Sequence, residues 1–252
     1  PAPAPAAEAP PPVAAPAPEP KPPPVATTES RETSINALAA DQRKFEIVLM
    51  GGDTVATPGP TTLSVTAIGI VPQGRALRRN AARVGDRLFV SGTIGDGALG
   101  LKVLRGELLD LAPAQGEALA DRYHLPRPRM TMGKSLCASG TVHASMDVSD
   151  GLVADAGHIA EASRCGIVIN ADRVPLSPAA QEALAGDLDL LPLILAGGDD
   201  YELLFTAPSL DAAWSGEVAV TEIGAIVAGE GVRVLDRDGN EIALAQRGFQ
   251  HF

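Results

Sequence analysis

The sequence predicts a mixed fold, α+β or α/β, carried behind a low-complexity N-terminal arm. Helical and strand-like patterns alternate from about residue 35 to the end, with no internal repeat. Acidic residues sit beside glycines where apolar runs stop. Of the first 24 residues, twelve are proline and eight are alanine, a composition that favours extended polyproline II and cannot bury a core.

The arm is expected to be disordered over 1–34, because the polar stretch VATTESRETS continues it. It reads as a spacer, with a tether or a ligand for a proline-binding module as the other reading. Lacking a basic region followed by an apolar one, it does not read as a secretory signal. Order is expected from Ser34, a candidate N-cap for a helix with Ile35, Leu38, Ala39 and Phe45 at helical spacing. A short strand at 47–50 runs into Gly51-Gly52-Asp53-Thr54, and an alternating strand follows at 61–70. The next strand, 86–90, is stopped by Ser91 and Gly92. Helices are predicted at 97–105, 129–138 and 152–164. Further strands are predicted at 142–148, 166–170, 201–206, 220–227 and 232–235, and Asp238-Gly239 marks the turn of a terminal hairpin.

A length of 252 residues suits one large domain or two modest ones. Twenty Lys and Arg stand against 31 Asp and Glu, a net charge of −11. That balance argues against a nucleic-acid partner, which needs a basic face. No apolar run is long enough for a bilayer-spanning helix. Two cysteines, Cys137 and Cys165, point to a reducing, cytoplasmic setting rather than a disulfide scaffold.

Three glycine–carboxylate turns carry the candidate chemistry. At Gly52-Asp53, glycine would let a phosphate approach the backbone and the carboxylate could hold Mg²⁺, although an ordinary turn uses the same residues. At Met146-Asp147-Val148-Ser149-Asp150-Gly151, side-chain alternation puts Asp147 and Ser149 on one face, and Asp150 falls where a helix begins. Asp150 could be plain capping, but two carboxylates this close at a strand end call for a cation. Gly197-Gly198-Asp199-Asp200 leads into Tyr201-Glu202-Leu203-Leu204-Phe205-Thr206, and its acidic pair suits a metal, a cationic ligand or simply water.

Together these turns suggest a metal–nucleotide site, for which Arg75, Arg78 and Arg79 form the densest basic cluster. Gly92-Thr93-Ile94-Gly95-Asp96-Gly97 resembles a phosphate loop but lacks the Lys-Ser/Thr ending of a Walker A motif. His124, His143 and His158 show no paired ligand spacing and read as structural, and His251 lies at the extreme end. There is no Gly-x-Ser-x-Gly elbow and no cysteine metal spacing.

Six segments, taken in order, resemble thiamine-monophosphate kinases: ALAADQRKFEIVLMGGDTVATPGPTTLSVTAIG, GRALRRNAARVGDRLFVSGTIGDGALGL, RYHLPRPRM, MDVSDGLVADAGHIAEAS, AGGDDYELLFT and RGFQHF. They cover about residues 37–252. The family resemblance implies a partial N-terminal α+β domain at 35–84 and a C-terminal α/β domain with a mixed sheet at 85–252. It implies ATP as co-substrate, several Mg²⁺ ions, and transfer of the γ-phosphoryl group to thiamine monophosphate, giving thiamine diphosphate. Carried over, Asp53, Asp147 and Asp150 become metal ligands. Gly52, Asp53, Arg79 and Ser149 become nucleotide contacts, Asp199 and Phe249 substrate contacts, and no residue is assigned as acid or base. The partners implied are these small molecules, with no nucleic acid and no membrane, in a homodimer formed through the N-terminal domain.

Before the matching segment, the family carries an early Gly-Asp-Asp, a Ser-Thr-Asp, a substrate-contacting His and an Asn-x-Ser-Asp. None of these stands upstream of Ser34. The alternative reading is therefore a catalytically impaired, truncated or fused remnant that at most binds nucleotide or ligand. Selenophosphate synthetase and purine-pathway cyclo-ligases are near alternatives within the superfamily, against which GGDDYELLFT and RGFQHF favour the thiamine enzyme. Either way, 47–70 is expected to leave an unpaired sheet edge and exposed apolar surface.

Overall fold

The structure, a computed structural model, describes residues 28–55, 62–108, 110–209, 214, 216, 218–244 and 248. Residues 1–27 of the expected arm lie outside that set. The chain divides into two units, Pro1–Gly69 and Ile70–Phe252.

In the first unit, helix α1 spans Thr28–Phe45, starting earlier than the expected Ser34. The polar run 28–34 holds no Gly or Pro to stop a helix, so polarity alone was a poor sign of linker. The helix ends as Glu46 takes a left-handed φ of 54° and Ile47 N donates to Gln42 O at 3.1 Å. The strands expected at 47–50 and 61–70 are not formed among the described residues. An apolar, alternating run becomes a strand only when a neighbour satisfies its N–H and C=O groups. Here Val48, Met50, Val65 and Ile68 stay exposed, as anticipated for an unpartnered segment.

The second unit is built on one six-stranded mixed sheet, as the sequence predicts. Its strands are β1 (Arg87–Ser91), β2 (Ala144–Asp147), β3 (Gly166–Asn170), β4 (Leu203–Ala207), β5 (Val220–Val227) and β6 (Gly231–Leu235). The order is β2-β4-β1-β5-β3-β6. Every neighbouring pair is antiparallel except β3–β6. A bridge between Leu235 and Glu241 closes the terminal hairpin, where Asp236 Oδ1 accepts from Asp238 N and Asn240 N.

Alternation along β1 sends its side chains into two cores. Leu88 and Val90 join Leu152, Ala156 and Ile159 of helix α5 (Leu152–Ser163) on one face. Phe89 joins Phe205, Trp214 and Leu136 of helix α4 (Met130–Ser139) on the other. The Phe89 and Phe205 rings stack at 5.5 Å, and Trp214 meets Phe205 edge-on at 5.3 Å. Each fully buried side chain of this size contributes about 1.5–3 kcal/mol.

A third cluster joins helices α2 (Asp96–Leu104), α3 (Pro113–His124), α6 (Pro178–Gly186) and α7 (Leu191–Ala196) through Leu99, Leu119, Ala180 and Ile194. The sequence reading found α2, α4 and α5 to within about a residue but missed α3, α6 and α7. For α6 the signal was present: Ser177 caps Ala180 N at 3.0 Å with Pro178 as the first helical residue.

Candidate functional site

Two glycine-bearing turns cross at the ends of β2 and β4. The first leaves β2 at Asp147 and passes through Val148, Ser149, Asp150 and Gly151 into α5. The second leaves α7 and passes through Gly197, Gly198, Asp199, Asp200, Tyr201 and Glu202 into β4. They extend the β2–β4 ladder past its last pair, Asp147 with Leu203. Val148 N donates to Glu202 O at 2.8 Å, Tyr201 N to Val148 O at 2.8 Å, and Asp199 N to Ser149 O at 2.9 Å.

Glycine is required where the two turns touch. Gly198 has φ 76°, and a Cβ there would lie 2.5 Å from Ser149 O. Gly151 has φ 121°, and a Cβ there would lie 2.6 Å from Ala196 O. Asp199 and Tyr201 also take left-handed φ values, 62° and 52°, a conformation non-glycine residues hold only when their surroundings enforce it. Tyr201 Oη donates to Asp199 Oδ1 at 3.2 Å, and burial, followed by the Asp199 charge, pushes the phenol up from its usual range.

Four of the residues singled out in the sequence are thus brought together: Asp147, Ser149, Asp150 and Asp199. Asp147 is exposed, while Ser149, Asp150 and Asp199 are half-buried. Gly52 and Asp53 belong to the first unit, where both are exposed and Asp53 Oδ1 accepts from its neighbour Thr54 N. The Arg79 side chain is exposed, and its carbonyl accepts from Ser163 Oγ at the far end of α5 from Asp150. Phe249 lies outside the described residues. Its neighbour Gly248 does not: a Cβ there would collide with Ala154 and lie 2.9 Å from Asp150 O, so Gly248 itself lies against the start of α5.

A buried polar layer, unrecognised in the sequence, lies behind the crossing. Glu202 is fully buried and accepts from Ser91 Oγ at 2.6 Å, Arg122 Nη2 at 3.1 Å and Arg129 Nε at 2.7 Å, with Arg129 Nη2 as a further donor. Arg122 Nη2 also holds Asp200 O at 3.2 Å. Gly92, at φ 58°, leaves the space the Glu202 carboxylate fills. A glutamate inside an apolar strand run signals that a cation must meet it, but sequence alone does not say which one. Both arginines border a cavity of about 380 Å³, together with Thr93, Asp96, Arg127 and Ser177.

Asp200 turns inward and accepts from Gly95 N at 2.8 Å and Gly97 N at 3.1 Å, at the start of α2. Burial, with Asp96 adding to it, pushes its carboxyl up to about 7 against the pull of those N–H groups and Arg122. Of the acidic pair, then, Asp199 faces the crossing and Asp200 is structural. Asp155 is a second buried carboxylate: its Oδ2 accepts from Ser149 N at 2.9 Å and Asp150 N at 3.1 Å, fixing the β2–α5 turn. Burial pushes it up to about 6, the two N–H groups opposing.

The crossing therefore presents three carboxylates, from Asp147, Asp150 and Asp199, on backbone held by reciprocal hydrogen bonds. Such a donor set suits a hard cation or a cationic ligand. Among the described residues no helix is long and apolar enough to cross a membrane.

Comparison with known proteins gives the lineage. Residues 83–237, more than half of the chain, match the family of AIR synthase related protein, C-terminal domain. Thiamine-monophosphate kinase from Caulobacter vibrioides is 43% identical over 88% of this chain and 64% of its own length. The enzyme from Salmonella typhimurium is 36% identical over 88% of this chain and 68% of its own. Among solved structures, AaThiL complexed with AMPPCP and TMP is similar with a TM-score of 0.59 and 38% identity, covering 70% of this chain and 54% of that one. The chain thus spans about two thirds or less of the length of these relatives. With the matched C-terminal domain and this extent of identity, the chain belongs to the thiamine-monophosphate kinase family.

Proposed function

We propose that this chain takes part in ATP-dependent phosphorylation of thiamine monophosphate to thiamine diphosphate in the cytoplasm. The observation that supports the reading is the crossing itself: hydrogen bonds from Asp199 N and Tyr201 N to Ser149 O and Val148 O hold together the turns that carry the Asp147, Asp150 and Asp199 carboxylates. Homology to a kinase seen with AMPPCP and TMP supports the choice of ligands.

In this reading Asp147 and Asp150 hold Mg²⁺, with Asp53 as a further ligand. The oxygen-only donors fit that ion, which would offset the repulsion between the two phosphate-bearing anions. Gly52, Asp53, Arg79 and Ser149 contact the nucleotide. Asp199 pairs with the positively charged substrate ring system, and Phe249 packs against it. A phosphate-monoester oxygen of the substrate attacks the γ-phosphorus as the bond to the β-phosphate oxygen breaks, leaving ADP. That nucleophile is already anionic near pH 7, so positioning and charge balance suffice without a general base. Residues 35–84 would form the partial N-terminal domain and 85–252 the C-terminal one.

A coupled ADP-release assay with thiamine monophosphate, ATP and Mg²⁺ tests the proposal. Turnover that depends on thiamine monophosphate and is lost in Asp150→Asn is expected. ADP release indifferent to thiamine monophosphate would overturn it.

A further inference from the structure

We propose that Asp150, Asp155 and His158 form a divalent-metal site of mixed oxygen and nitrogen ligation that takes a transition-series ion with no nucleotide present. Each of the three offers one ligand atom, and these atoms all lie within 4.8 Å of one another. Asp155 and His158 stand three residues apart in α5 and so share one face of the helix. Helical metal sites use the same carboxylate–x–x–His spacing. Asp150 joins them from the turn just before the helix.

An acidic cluster is not in itself a site. Here an independent observation points to an occupant: Asp155 is wholly buried, and its Oδ1 has no hydrogen-bond partner. The other oxygen, Oδ2, is engaged by Ser149 N and Asp150 N, which fixes the orientation of the carboxylate. Oδ1 is therefore the atom left to ligate. A buried carboxylate oxygen without a partner is unfavourable, and buried acceptors are rarely left so. A cation beside Asp150 and His158 would satisfy it.

The chemistry of the donors sets the class of ion. An imidazole nitrogen with two carboxylates suits Zn²⁺, Co²⁺ or Mn²⁺ better than Mg²⁺, which prefers oxygen alone. Three protein ligands leave a coordination position open. The site shares Asp150 with the proposed nucleotide-metal cluster but needs neither ATP nor thiamine monophosphate, so it stands or falls separately from the proposed kinase reaction. A bridging water in the same gap is the competing occupant.

The test is a Co²⁺ titration of the full chain in chelator-treated buffer, followed by visible absorption, with Zn²⁺ as competitor. Saturable binding of one ion per chain, displaced by Zn²⁺, is expected. His158→Ala and Asp155→Asn should each weaken it by about tenfold or more, and Asp172→Asn, at an exposed position after β3, should change it less than about twofold. His158→Ala places the best helix former in α5, and Asp155→Asn keeps an oxygen for the two N–H groups, so melting curves should show both folded. An absorption band that never saturates, or His158→Ala binding Co²⁺ like the parent chain, would overturn the assignment and leave the gap to water.

Discussion

Glu202→Gln is the perturbation that most severely probes how the crossing of the two turns is held. Glu202 has no exposed side-chain surface, and its partners Arg122 and Arg129 are only 11% and 15% exposed. Gln keeps one acceptor oxygen but turns an NH₂ toward guanidinium or hydroxyl donors that now face no negative charge. Removing one partner from a buried ion pair costs about 3–5 kcal/mol. At about 2–4 °C per kcal/mol for a unit of this size, Tm should fall by about 6–20 °C. The assay is urea and thermal unfolding of Glu202→Gln, Arg129→Gln and the double variant, followed by circular dichroism. The single changes should be strongly non-additive, with a coupling of about 1–3 kcal/mol. A loss below about 1 kcal/mol for Glu202→Gln, or additive losses, would refute the buried network as the support of the Asp199–Tyr201 turn.

Three further outcomes follow from the same geometry. Gly198→Ala should destabilise the unit by about 2–4 kcal/mol and weaken thiamine monophosphate binding, because its Cβ meets the Ser149 carbonyl at a positive φ; unchanged Tm and affinity would contradict this. The carboxyl of Asp200 rises from 3.8 unfolded to about 7 folded, so the folded state holds its proton more tightly. Its contribution to stability is complete below about pH 4 and is lost as pH rises through about 7; Asp200→Asn should flatten that fall in unfolding experiments between pH 4 and 8, and an unchanged slope would count against it. Val48, Met50 and Val65, exposed by 84%, 84% and 82%, should make the chain self-associate. Val48→Lys with Val65→Lys should shift it toward monomer in light scattering, whereas a parent chain already monomeric at high concentration would disprove the idea.

Much of the second unit was legible because its signals are local. Short strand-like runs marked β1, β3 and β5, and the glycine–carboxylate motifs marked both turns. What sequence could not supply was partnership across distance. The run 61–70 alternates like a strand yet has no pairing among the described residues, since periodicity records which face could be buried and not whether a neighbour exists. Asp199 and Asp200 look equivalent in the sequence, but the left-handed φ of Asp199 sends their side chains to different places. Glu202 is met by Arg122 and Arg129, more than seventy positions earlier, a pairing that no local pattern marks. Asp155 and His158 lie within the helix predicted at 152–164, and the fold brings their ligand atoms to that of Asp150.

The most direct test of the proposed chemistry follows the phosphoryl group itself. The chain is incubated with γ-labelled ATP, Mg²⁺ and thiamine monophosphate, and the products are separated. Label appearing in thiamine diphosphate, and absent with Asp147→Asn, is the predicted result. Label released only as inorganic phosphate, or thiamine diphosphate formed equally by the Asp147→Asn chain, would contradict it.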